Sequence, residues 1–264
     1  MSQTVKPVQL KPSTIEAFDG YIRAAEAEME QTLSGSAPFL WSDGSPERAQ
    51  SVRQGKVLAE RWSGKELVKI PDGLIHDWIG ALFTPGTTVG DALALVQDYD
   101  NHKNVYKPEV IDSKLVSHQN NDFQIFLRLL KKKIITVVLD TDHDVHYRCL
   151  DATHWFCRSY TTRISEVEDA GKPDEQVLPP DSGYGFLWRL DSYWRFQERD
   201  GGVYVECRAV SLTRDVPKGL GWIIEPIVRK LPAESLIHTL AATRQALSLT
   251  VGQVSVPPHL PPSA

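Results

Sequence analysis

The chain has 264 residues, of which 41% are hydrophobic, 24% charged and 9% aromatic, an ordinary globular composition with ample length for a core without staples. Lys+Arg 29 against Asp+Glu 34 gives a net charge of −5, the wrong sign for a protein that neutralises phosphates, so nucleic acid is not an expected partner. Three cysteines, Cys149, Cys157 and Cys207, lack any short metal-ligand spacing, which excludes a disulfide framework and a zinc ribbon.

Chain order begins with an amphipathic segment, Lys11 to Leu33, whose Ile15, Phe18, Ile22, Ala25 and Met29 recur at three- and four-residue steps. Pro12 and Ser13 suit its start, and the Gly, Ser and Pro punctuation from Ser34 to Pro46 ends it. Glu66 to Ile70 reads as an isolated strand, and Pro71-Asp72-Gly73 turns it into Leu74 to Phe83, whose apolar density predicts a buried helix. A second helix is expected over Thr88 to Tyr99, with Val89, Leu93, Val96 and Tyr99 on one face.

Beyond Pro108 the period drops to two, predicting strands at Glu109 to Ser117, Phe123 to Lys132, Ile134 to Leu139 with a continuation toward Tyr147, Thr153 to Val167, Tyr184 to Glu198 and Val203 to Thr213. Short polar turns at Asn120-Asn121 and Asp200-Gly201-Gly202 make these an antiparallel meander. The acidic, Pro-rich stretch Glu168 to Ser182 reads as an exposed loop. Helical periodicity returns after Pro217, passes Pro232 and places Leu236, Leu240, Thr243 and Leu247 on one stripe. Four prolines in the last thirteen residues predict a disordered tail.

The strings Val96-Gln97-Asp98-Tyr99-Asp100, Tyr106-Lys107-Pro108-Glu109-Val110, Tyr193-Trp194-Arg195-Phe196, Gly201 to Cys207 and Ser211-Leu212-Thr213-Arg214-Asp215-Val216-Pro217 carry a likeness. With the element order, they resemble the SRPBCC superfamily, the helix-grip proteins that include START lipid-transfer domains, pollen-allergen-like carriers and polyketide cyclases. The resemblance covers roughly Glu66 to Leu249 and implies an α+β helix-grip fold. In that fold a curved antiparallel sheet of about six or seven strands surrounds a long C-terminal helix, with a hydrophobic cavity between them. The expected organisation is an N-terminal helical arm and loop over 1–64, a START-like domain over 65–249 and a Pro-rich tail over 250–264.

Of the 23 aromatic residues, eight lie between Tyr184 and Trp222. Strand alternation sets Tyr184, Phe186, Trp188, Leu190, Ser192, Trp194 and Phe196 on one face and Leu187, Arg189, Asp191, Tyr193, Arg195 and Gln197 on the other. Wide aromatics with N–H or O–H groups suit a pocket wall, and they equally suit an ordinary core. On the next strand Val203, Val205, Cys207, Ala209 and Ser211 form a small-residue face, opposite Tyr204, Glu206, Arg208, Val210 and Leu212. The ligand-binding candidates are Phe186, Trp188, Tyr193, Trp194, Arg195, Glu206, Trp222, Leu236 and Leu240. Glu206 and Arg195 also fit solvated cross-strand partners.

Asp140, Asp142, His143, Asp144 and His146 form the densest titratable cluster, but position six of a calcium loop is Val145 instead of Gly and position twelve is Asp151 instead of Glu. A hydrated strand end is the expectation, with no metal and no cofactor. HExxH, GxSxG, GxGxxG and Walker patterns are absent. The functional expectation is binding or transport of a hydrophobic small molecule, such as a lipid, an isoprenoid or a polyketide-like compound. Two alternatives stay open: a polyketide cyclase or aromatase-like enzyme drawing on Glu206, Arg195, Tyr193 and His154, and a non-catalytic interaction scaffold. Lys131-Lys132-Lys133 suits either transient contact with an anionic membrane surface or a solubilised strand edge. Without an N-terminal apolar run a soluble, cytoplasmic protein is expected, or an exported one whose leader has been removed.

Overall fold

The computed structural model describes residues 7–62, 64, 68–132, 136–215 and 221–254, apart from the side chains of 221–229 and 251–254. Short strand β1 (Val8–Gln9) leads into helix α1 (Pro12–Leu33), and α2 (Pro46–Arg53) follows a 3₁₀ turn at Trp41–Gly44. Strands β2 (Leu58–Arg61), β3 (Val68–Ile70) and β4 (Gly73–Pro85) precede helices α3 (Val89–Gln97) and α4 (His102–Val105). The meander consists of β5 (Val110–Gln119), β6 (Asp122–Lys132), β7 (Thr136–Cys149) and β8 (His154–Glu168), then short β9 (Gln176–Val177) and β10 (Ser182–Gly183). It ends in β11 (Arg189–Arg199) and β12 (Gly202–Arg214), and helix α5 (Gly221–Val254) closes the fold. The tail 255–264 lies outside the described residues.

Among the described residues ten strands form one antiparallel sheet in the order β2-β4-β12-β11-β8-β7-β6-β5, with β3 on β4 and β9 on β8, while β1 pairs separately with β10. This is the α+β helix-grip architecture: an antiparallel sheet with α5 lying across its inner face. Gly80 seats the helix, because a Cβ there would stand 2.5 Å from the Leu240 side chain and 2.7 Å from the Leu58 carbonyl.

Leu74 to Phe83 is strand β4, not the helix expected. Nearly every residue from Gly73 to Thr84 is buried, since α5 covers one face of the strand and the α1–α2 segment covers the other. A strand buried on both faces loses its alternation, and a short continuous apolar run is then indistinguishable from a buried helix.

The long strand expected from Tyr184 starts only at Arg189. Gly183 and Gly185 adopt positive φ of 143° and 78°, so Tyr184 to Trp188 forms a turn and the alternation does not extend back through it. Helix α3 is capped as its sequence requires: Thr88 accepts the Asp91 N–H, and the Asp91 carboxylate accepts the Thr88 N–H. Helix α1 packs on the outer face of the sheet through Phe18, Ile22, Ala25 and Met29, against Ile75, Phe156, Tyr193, Val210 and Leu212. Both faces of the central strands are therefore covered.

Candidate functional site

A cavity of about 600 Å³ lies between the inner face of the sheet, helix α3 and helix α5. Its volume is that of a small-molecule pocket. Aliphatic side chains such as Ile125, Leu127, Leu129, Leu139, Val145 and Leu236 line it, and Trp78, Trp194 and Phe196 are among its rings. Side-chain parity builds this wall. Leu190, Ser192, Trp194 and Phe196 on β11, and Cys207, Ala209, Ser211 and Thr213 on β12, line it together. Trp194 and Phe196 lie parallel, with an interplanar angle of 8° and centroids 6.3 Å apart.

Of the expected site residues, Phe186, Trp194 and Leu236 line the cavity, with Phe186 39% exposed at its rim. Leu240 is fully buried where α5 meets Gly80 and does not reach the cavity. The Trp222 side chain lies outside the described residues. Trp188, Tyr193, Arg195 and Glu206 face the opposite side of the sheet. Trp188 belongs to the core beneath α1. The Tyr193 hydroxyl donates to Glu26 at 3.0 Å, and Arg195 donates to the Thr32 hydroxyl at 2.9 Å. Glu206 accepts the backbone N–H groups of Trp41 and Ser42 at 2.7 and 2.8 Å, which pins the segment after α1 to the sheet. Burial raises the Glu206 carboxyl's pKa, and these donors oppose the rise. Tyr193 and Arg195 differ from Trp194 by one residue, so one strand cannot present all three to one space.

The cluster on β7 is hydrated only in part: Asp144 is exposed and His146 pairs with exposed Asp122, whereas Asp140 and His143 are buried. Asp140 takes a bidentate pair from Arg128 at 2.7 and 2.9 Å, Asp142 pairs with Arg163 at 2.6 Å, and His143 turns into the cavity. Plain strand alternation produces this split: Val137, Leu139, His143, Val145 and Tyr147 line the cavity, while Asp140 and Asp142 project from the other face of β7. Among the described residues no group of three His, Cys, Asp or Glu side chains is placed to hold a metal. No described helix is long and apolar enough to cross a membrane.

Most polar groups in or beside the cavity wall are spent on each other. The Tyr99 and Tyr147 hydroxyls share a 2.8 Å hydrogen bond, and Tyr106 bonds Thr243 at 3.2 Å. Lys131 pairs with Glu109 and donates to Ser235 at 2.6 Å; burial lowers its pKa, opposed by Glu109. Sequence reasoning missed a second group: His143, Ser159, Ser192 and Trp78. The signal was available as hydroxyl residues at inward-facing strand positions, but Trp78 was hidden by the helical reading of its segment.

Fold and cavity together define a helix-grip protein with a largely apolar chamber between sheet and helix. In fold the chain is similar to a STAR-related lipid transfer protein fragment from Xanthomonas axonopodis, at 15% identity over 69% of this chain and 97% of that one, with a TM-score of 0.47. Human STARD10 is similar at 9% identity over 80% of this chain and 84% of that chain (TM-score 0.45). The Zhui aromatase/cyclase of Streptomyces sp. R1128 is similar at 6% identity over 68% and 94% (TM-score 0.45). No family model and no curated protein matches the sequence.

Proposed function

We propose that this chain binds or carries a hydrophobic small molecule, of lipid, isoprenoid or polyketide-like type, in the chamber between the sheet and α5. The observation that supports this most directly is the cavity of about 600 Å³, whose wall is built mainly from aliphatic and aromatic side chains. Each methylene transferred from water into it contributes about 0.8 kcal/mol, so binding needs no charged anchor. The groups considered for a cyclase do not favour that alternative. Tyr193, Arg195 and Glu206 lie across the sheet from the cavity, and His154 is held by Asp151 and Gln197.

The test is a titration with N-phenyl-1-naphthylamine, a neutral probe whose emission rises in apolar surroundings. Saturable binding at one probe per chain is expected, weakened by substitutions that fill the chamber. A linear, non-saturating response removes the reading.

A further inference from the structure

Ser159 on β8 and Ser192 on β11 are directly paired in the sheet register, and both line the cavity. Their hydrogen-bonding capacity can be assigned atom by atom. Thr141 donates its one hydroxyl hydrogen to the Leu127 carbonyl at 3.0 Å, so only its lone pairs remain for His143 Nε2 at 2.9 Å. Nε2 therefore carries the ring hydrogen. Burial pushes the His143 pKa down to about 4, so the ring is neutral and Nδ1 is an acceptor. Ser159 Oγ lies 3.4 Å from Nδ1 and donates to it, which leaves Ser159 with lone pairs only for the cavity.

Ser192 has the complementary assignment. Its Oγ accepts the Trp194 Nε1–H at 3.3 Å and keeps its own hydrogen to give. Continuing along the same row, Ser192 pairs with Ala209 and Ala209 with Trp78. The Ala209 methyl leaves space between them, and the buried Trp78 Nε1–H has no partner. One row across four strands thus offers the chamber an acceptor at Ser159 and a donor at Ser192, with Trp78 at its far end. Opposed residues in an antiparallel pair have Cα atoms only about 4.5–5.5 Å apart, so one oxygen atom can serve both serines.

Resting on the binding reading above, we propose that the Ser159–Ser192 pair is the polar subsite of the chamber and that it takes the hydroxyl of a neutral alcohol or phenol. The ligand O–H donates to Ser159 Oγ, and the same oxygen accepts from Ser192. An ether or ketone can satisfy only the donor. A carboxylate would set its charge against the Ser159 lone pairs in an apolar chamber, where Lys131 is already engaged by Glu109.

The experiment is displacement of N-phenyl-1-naphthylamine by 1-dodecanol and by dodecyl methyl ether, on the full chain. Ser159→Ala is expected to weaken the alcohol about fivefold, roughly 1 kcal/mol, and to leave the ether within twofold, because the ether has no hydrogen to lose. Ser192→Ala is expected to weaken both. On the unsubstituted chain, the alcohol-to-ether affinity ratio should exceed the ratio of their water-to-hexadecane partition coefficients by at least tenfold. A ratio equal to partition, or equal losses for alcohol and ether in Ser159→Ala, overturns the subsite while leaving the chamber intact. Absence of saturable probe binding overturns the chamber itself.

Discussion

Arg208 on β12 and Asp77 on β4 meet in a bidentate ion pair, Nε to Oδ1 at 3.0 Å and Nη2 to Oδ2 at 2.6 Å, with both side chains 4% exposed. Tyr21 of α1 donates to the same carboxylate at 2.7 Å, and the Trp62 ring lies 4.1 Å from the guanidinium carbon. The pair stands on the face opposite the cavity and ties α1 to the sheet. Removing Asp77 leaves the buried Arg208 guanidinium only the exposed Glu28 at 3.4 Å, and breaking a buried pair in this way costs about 3–5 kcal/mol. Asp77→Ala should therefore lower the urea midpoint strongly, while the probe affinity of the remaining folded fraction stays within twofold. An unchanged midpoint would show that the pair contributes nothing net.

Asp191, on the same outer face, gives the fold a pH dependence. Burial pushes its carboxyl up to about 7 from the ordinary 3.8; the Thr161 hydrogen bond and Arg189 oppose the rise, and Glu26 and Asp19 of α1 add to it. The folded state therefore holds a proton that the unfolded state releases near pH 4, and the group's contribution to stability is lost as pH rises from about 4 through about 7. Each unit of difference is worth about 1.4 kcal/mol. Asp191→Asn should match the wild type near pH 4 and be more stable by roughly 2–4 kcal/mol at pH 8. Urea unfolding of both proteins across that range checks the sign; a constant difference at all pH values would refute it.

Glu166 controls the rim. Its carboxylate accepts three consecutive backbone N–H groups, Tyr184 at 2.7 Å, Gly185 at 2.9 Å and Phe186 at 3.1 Å, and Tyr184 also donates to Glu168 at 2.9 Å. These bonds fix the turn that carries Phe186 at the cavity edge. Glu166→Ala leaves three donors unanswered and should destabilise the chain by about 2–4 kcal/mol. It should also speed probe release several-fold in stopped-flow measurements, because the turn no longer holds Phe186 in place. Unchanged release with lowered stability would confine Glu166 to a structural role.

Legibility in the sequence followed whether an element keeps an alternation of residue type; β12 is buried on both faces, yet Glu206 and Arg208 on one side set against Cys207 and Ala209 on the other preserve it. Helix α1 and strand β12 each show a clear period, so Phe18, Ile22, Ala25 and Met29, and the small row Cys207, Ala209 and Ser211, were assigned to the right faces. Strand β4 is buried on both faces and shows no period, which hid Trp78 and with it one end of the hydroxyl row. The site around β11 failed differently: parity correctly separates Trp194 from Tyr193 and Arg195, yet all three were grouped on chemical type. Glu206 and Arg195 have the polar character expected of pocket anchors, but they face the last turn of α1 and the segment after it, where their partners are Thr32, Trp41 and Ser42. No local pattern in the strand reports which face that segment covers.

Trp188 and Trp194, six residues apart in one aromatic run, separate binding from stability. Trp194 lines the cavity beside Phe196, and its indole N–H donates to Ser192. Trp188 is 4% exposed in the core under α1, and its backbone N–H donates to the Leu212 carbonyl at 2.7 Å. Truncating a buried Trp costs about 3–5 kcal/mol, so Trp188→Ala should destabilise by that amount and leave probe affinity of the folded protein within twofold. Trp194→Ala enlarges a space that is already open and removes the donor that orients Ser192. Its stability loss should be smaller, while its probe affinity changes several-fold and its discrimination between 1-dodecanol and dodecyl methyl ether narrows. The reverse pattern, with affinity following Trp188 and not Trp194, would place the ligand on the α1 side of the sheet.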